Sequence, residues 1–159
     1  MLNGQVLTED VIQQKILNQT LDFGFTYNSP REDEGINILK KLPIKFVMVS
    51  SQADLNVSDA IKDNYLFVDW GTSFLQAHSQ HFSEMPAPLM RIDVGRIAKR
   101  YIKSRTGTAY LPETIVKRDL EMGVLFKVKQ APVIRRSAYI IYNGENGRAN
   151  TMARKLISQ

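Results

Sequence analysis

Cysteine is absent from the 159 residues. That removes disulfides and thiol catalysis, and it fits a reducing compartment, so a cytoplasmic location is expected. Long apolar runs are missing too. The stretch Ile44 to Val49, interrupted by Lys45, is far too short to span a bilayer. The chain does not open with a basic, then apolar, then small-residue leader, so nothing suggests export. There is no Walker-type loop, no GxSxG and no HExxH. Gly144-Glu145-Asn146-Gly147 lacks the Lys-Ser/Thr that a phosphate loop needs and reads as a turn. No nucleophile stands beside a base and an orienting acid, so no turnover and no cofactor are expected. Internal repeats and low-complexity segments are also absent.

What is present is an ordinary globular composition, with 43% hydrophobic residues, enough for one domain or two small lobes. The formal net charge is +5. Lys99, Arg100 and Lys103 fall on the polar side of one amphipathic helix, and Lys117 with Arg118 on the next, so solvated helix faces explain most of that charge. Arg135-Arg136, beside Lys127 and Lys129, is the densest basic patch and can attract anions. No aromatic interleaving marks it as a nucleic-acid surface. Glu32-Asp33-Glu34 reads as a solvated charged loop.

The element order is legible from periodicity. Thr8 is expected to cap a first helix, with Glu9 and Asp10 in its first turn. Leu21 to Thr26 alternates as a strand, and Asn28-Ser29-Pro30 ends it. A weak strand at Ile36 to Leu39 precedes a strong one at Ile44 to Ser50. Ser58 opens one helical turn. Tyr65 to Val68 is a buried strand, and Gly71 and Thr72 start a helix carrying Phe74, His78 and Phe82 on one face. Leu89 to Ile92 is a short strand. Asp93 is expected to cap a helix with Val94, Ile97, Ala98, Tyr101 and Ile102 at helical spacing. Thr108 to Leu111 is a strand, and Pro112 suits the first position of the helix that ends before Gly123. Strands at Val124 to Val128 and Ala138 to Tyr142 lead to a final helix from Ala149. This is an α/β chain.

Several motifs in this order are similar to a known family. Leu21-Asp22-Phe23-Gly24-Phe25, the strand Ile44 to Val49, and above all the run Val94 to Gly123 resemble the effector-binding domain of LysR-type transcriptional regulators. That run has an amphipathic helix, Gly107, Leu111-Pro112, a second helix, then Gly123-Val124-Leu125. Tyr65 to Gly71, with Phe74 after it, looks like the HdfR-like branch of the family. Arg105 departs from it, standing where a glycine is common. The resemblance implies a two-lobed fold similar to periplasmic binding proteins, shortened at its N-terminus. One lobe is expected at about 1–51 and 135–159, the other at about 52–134. The crossovers near Gln52 to Asp54 and Gln130 to Arg135 are expected to act as a hinge.

The resemblance also implies a small-molecule effector between the lobes and a homodimer. DNA binding would come only through a helix-turn-helix domain that these residues do not contain. A free-standing solute-binding protein of similar architecture is the alternative reading. The ligand-binding expectation rests on helix starts and strand ends. Gly71, Thr72 and Ser73 offer backbone N–H groups at a helix N-terminus, suited to a carboxylate or another anion. Thr72 or Ser73 acting only as a cap is the plainer reading. Trp70 would wall the pocket or belong to the core. Thr26, Tyr27 and Ser50 end strands that would face it, and Tyr110 is core more readily than contact. His78 and His81 stand at i, i+3, but His78 shares a face with Phe74 and Phe82, so packing is expected and no metal site.

Overall fold

The computed structural model describes residues 3–30, 35–62 and 64–157. The loop Glu32-Asp33-Glu34 lies outside the described residues. The elements run α1 (Glu9–Leu17), β1 (Phe23–Thr26), β2 (Ile36–Ser50), α2 (Val57–Ala60), β3 (Tyr65–Val68), α3 (Thr72–His81), β4 (Met90–Ile92), α4 (Gly95–Ser104), β5 (Thr108–Pro112), α5 (Glu113–Glu121), β6 (Phe126–Lys127), β7 (Ile134–Asn143) and α6 (Gly147–Ile157). Strand order is β1-β7-β2-β5-β3-β4, with β6 also pairing with β2. The class is mixed α/β.

The chain divides into two compact units. One holds Met1–Pro43 and Ser137–Gln159, the other Ile44–Arg136. The sequence places the crossings at about residues 51–52 and 134–135. The boundaries between the two compact units lie at Pro43–Ile44 and Arg136–Ser137, inside the two longest strands of the described residues, β2 and β7. Two weakly separated strands were expected where β2 runs unbroken for 15 residues. Pro43 explains both the expectation and its failure. Proline lacks an N–H but is compatible with extended backbone, and it pushes the preceding residue toward the β region. From Phe46 to Ser50 β2 is buried and pairs antiparallel with β5, which ties it to the second unit.

In the first unit β1 pairs antiparallel with β7, from Phe23↔Tyr142 to Thr26↔Tyr139. Gly24 lets α1 lie close on this ribbon, since a Cβ there would meet Ile12 Cγ2 at 2.4 Å. Ile16, Ala138, Ile141, Ala149 and Ala153 form the core. Asn146 starts α6 by accepting from the N–H groups of Arg148 and Ala149, both at 3.1 Å. Thr8 occupies the cap position of α1 but makes no side-chain capping bond.

In the second unit β3 lies between β4 and β5 and is parallel to both. The chain goes from β3 through α3 to one neighbour, then through α4 back across to the other. Phe46, Leu66, Phe74, Ile102, Leu111, Val116 and Leu125 fill the interior. α4 begins at Gly95 with Val94 in the cap position, one residue after the expected cap Asp93. The strand expected over 124–128 is only the two-residue β6. The residues next to the two segments expected to act as a hinge are bonded to each other inside this unit. Lys129 N–H donates to Leu55 O at 2.8 Å, Val57 N–H donates to Lys129 O at 3.0 Å, and the Lys129 ammonium lies 2.7 Å from Asp54.

Candidate functional site: the switch point of the parallel strands

Ligands of open α/β sheets sit outside the carboxyl ends of parallel strands, where successive connections leave in opposite directions. The second unit has such a point between β3 and β5. Asp69-Trp70-Gly71 follows β3 there, and Glu113 follows β5. Asp69 anchors the turn. Its N–H donates to Ile92 O at 2.9 Å, and its carboxylate accepts from Gly71 N–H at 2.9 Å. Gly71 has φ +88°, a left-handed conformation that favours glycine. It caps α3, whose first N–H groups have no partner within the helix.

Trp70 floors this point. It is 5% exposed, and its indole N–H donates to the Tyr110 carbonyl at 2.9 Å. The indole packs on Phe46 at 5.4 Å between centroids. Gly95 makes room for it, because a Cβ at that position would lie 2.1 Å from the ring. Arg136 comes to the same turn. Its Nε donates to Ser73 O at 2.7 Å, and its Nη1 donates to Arg135 O at 2.7 Å. A guanidinium, a helix start and an aromatic floor together suit a small anion or a polar group with negative character.

The expected site residues separate into three places. Trp70, Gly71, Thr72 and Ser73 are together at the switch point. Tyr110 is beneath them and fully buried; its carbonyl receives Trp70, and its hydroxyl donates to Pro132 O at 2.8 Å. Ser50 is at the other end of the strands. It pairs with Thr108, the first residue of β5, and its Oγ accepts from Gln52 N–H at 2.9 Å. Because β2 runs antiparallel to β5, the end of β2 adjoins the start of β5. Thr26 and Tyr27 belong to the other unit. Thr26 is buried and donates to Asn28 O at 3.0 Å. The N–H groups of Tyr27 and Asn28 donate to Glu9 Oε1 at 2.6 and 2.9 Å, and the Asn28 side-chain amide donates to Glu9 Oε2.

Sequence reasoning missed two of these partners. Glu9 was credited only with a favourable place in α1's first turn, yet its carboxylate occupies the amides after β1. Arg136 was visible as half of the Arg135-Arg136 patch, but nothing local linked it to Ser73, 63 residues away.

His78 lies behind the switch point on α3. It is 3% exposed and hydrogen-bonds the Tyr65 hydroxyl through Nε2 at 2.8 Å. Rings of Phe67, Phe74, Phe82 and Tyr110 surround it at 4.9–5.8 Å. Burial, and secondarily the charge of His81, pushes its pKa down to about 4. No group of three His, Cys, Asp or Glu among the described residues is placed to hold a metal. No helix of the described residues is long and apolar enough to cross a membrane.

No family model matches this chain, and no curated protein matches it. Solved structures do. The bromide-bound regulatory domain of HypT from Salmonella typhimurium superposes with a TM-score of 0.76 at 16% identity, over 96% of this chain and 78% of that one. This is the fold of the LysR-type regulatory domain. Full-length HypT, a hypochlorite-specific LysR-type transcriptional regulator, gives 0.75 at 14% identity over 96% of this chain; the chain spans 56% of its length. Full-length LysG from Corynebacterium glutamicum, with its effector Arg bound, gives 0.63 at 11% identity over 95% of this chain and 55% of that one. The α/β, periplasmic-binding-protein-like architecture expected from the sequence is therefore the observed one. The similar structures are transcriptional regulators.

Proposed function

We propose that this chain is the ligand-sensing part of a LysR-type transcriptional regulator, a sensor and not a catalyst. The first turn of α3 would receive the anionic or polar head of a small effector. One observation carries the reading. The helix start that follows the middle parallel strand has the Arg136 guanidinium bonded to Ser73 at 2.7 Å, with Trp70 as floor. The bromide bound to the HypT domain and the arginine bound to LysG support it, since both are small charged ligands of the same fold.

Binding would act by population shift. A ligand that bonds α3's N-terminus and Arg136 together favours arrangements in which α3 and the start of β7 are held in one place. In a full-length regulator that bias would pass to a DNA-binding domain, and a homodimer would be the working form.

The test is thermal shift with a panel of halides, carboxylates and amino acids, on the wild type and on Arg136→Ala. A concentration-dependent rise in Tm for at least one class, weakened about tenfold or more in the variant, supports the reading. An equal rise in both proteins would place the ligand elsewhere.

A further inference from the structure

Asparagine followed by glycine is chemically labile, and the chain has three such pairs: Asn3-Gly4, Asn143-Gly144 and Asn146-Gly147. Glycine carries no Cβ, so its backbone nitrogen can approach the Cγ of the preceding amide closely. Local sequence makes the three pairs alike. The fold separates them.

Asn143 is 3% exposed, and both ends of its amide are held. Nδ2 donates to Ile16 O and Leu17 O, both at 3.3 Å, and Oδ1 accepts from Glu145 N–H at 2.8 Å. The nitrogen that would attack it is engaged too, since Gly144 N–H donates to Gly35 O at 3.2 Å. Asn146 is 8% exposed, and the two bonds that its Oδ1 accepts at the start of α6 fix its amide there. Reaction at either pair requires a local opening of the first unit that breaks these bonds. Asn3 and Gly4 are exposed, in irregular chain ahead of α1. Among the described residues no hydrogen bond holds either of them, and a Cβ on Gly4 would meet nothing within 4 Å.

We propose that Asn3 is a modification site, where the folded chain converts an amide to a carboxylate through a cyclic imide. The Gly4 nitrogen loses its proton to hydroxide and bonds to Asn3 Cγ. The Cγ–Nδ2 bond breaks, and ammonia leaves after taking up a proton from water. One water then opens the ring. Opening at Cγ gives aspartate; opening at the backbone carbonyl gives isoaspartate, whose main chain runs through Cβ and Cγ. Nothing is oxidised or reduced. Either product lowers the formal net charge by one, and the iso form lengthens by one methylene the backbone that leads into α1.

The test incubates the folded 159-residue chain at mildly alkaline pH and follows conversion by mass spectrometry of tryptic peptides. Residues 1–15 report Asn3, and residues 137–148 report Asn143 and Asn146. A parallel sample in guanidinium chloride exposes all three pairs. In the folded chain Asn3 should convert about tenfold or more faster than either of the others, and in guanidinium the three rates should come together. Gly4→Val should slow Asn3 about tenfold, because a branched side chain crowds the attacking nitrogen. Circular dichroism confirms that this variant folds. The proposal is overturned if Asn3 stays intact in the folded chain, if Asn143 or Asn146 keeps pace with it there, or if Gly4→Val converts as fast as the wild type. It is equally overturned if the same ranking persists in guanidinium, since local sequence and not the fold would then set it.

Discussion

The indole nitrogen of Trp70 donates to the carbonyl of Tyr110 at 2.9 Å, joining the end of β3 to β5 across the point where the parallel strands diverge. The bond satisfies the one polar atom of a side chain that is otherwise buried, packed on Phe46 and against Gly95. It also makes the only tryptophan of the chain a reporter at the candidate site.

Gly95→Ala should be strongly destabilising for its size. The new methyl would lie 2.1 Å from the indole, so Trp70 or α4 must move. Overpacking of this kind costs roughly 1–3 kcal/mol. Urea unfolding should show the loss, and the emission of Trp70 should shift to the red as the ring gains solvent. An unchanged midpoint and spectrum would mean that the ring does not pack against Gly95.

His78 predicts a pH window. Its folded pKa of about 4 lies below the ordinary 6.5, so the unfolded chain binds a proton first. Stability from neutral, buried His78 is then full above pH 6.5 and is lost as pH falls from 6.5 toward 4. The difference is on the order of 3 kcal/mol. His78→Phe should flatten urea stability across that window, while a His78→Phe curve as steep as the wild type's would remove His78 as the cause.

Asp119 holds two lysines at once, Lys103 on Oδ1 and Lys99 on Oδ2, with only 8% of its side chain exposed. Those ammoniums keep its carboxyl below the usual range. Asp119→Asn leaves two neighbouring cations without their counter-charge. The lysines are partly solvated, so the loss should be about 1–2 kcal/mol by chemical denaturation. Adding Lys103→Met should recover part of it. Strict additivity of the two substitutions would show that the ion pair contributes nothing.

Glu9→Ala should loosen the first unit. It removes the acceptor of the Tyr27 and Asn28 N–H groups, bonds to a charged group that are worth about 2 kcal/mol in total. Hydrogen exchange at those two amides should accelerate well beyond that of Ile141 in the adjacent strand. Uniform protection would contradict the assignment.

Local chemistry made much of the fold legible. Gly71 before a helix, Pro112 before another and Gly123 after it mark boundaries that the structure keeps within a residue or so. Apolar spacing located α4 but not the width of its buried face, so exposed Ile97 shares the helical spacing of buried Ala98 and Ile102. Strand direction is a long-range property, which is why Ser50 was grouped with residues at the opposite end of β5. Contacts such as Glu9 with Tyr27 and Arg136 with Ser73 join distant segments, and no local pattern encodes them.

The central claim is that an anion binds at the first turn of α3. Amide chemical shifts followed during a bromide titration at constant ionic strength test it directly. Saturable movement of the Thr72, Ser73 and Phe74 amides and of the Trp70 indole N–H, lost in Arg136→Ala, is the predicted result. Saturable movement elsewhere with those four signals still, or no saturable movement at all, would contradict it.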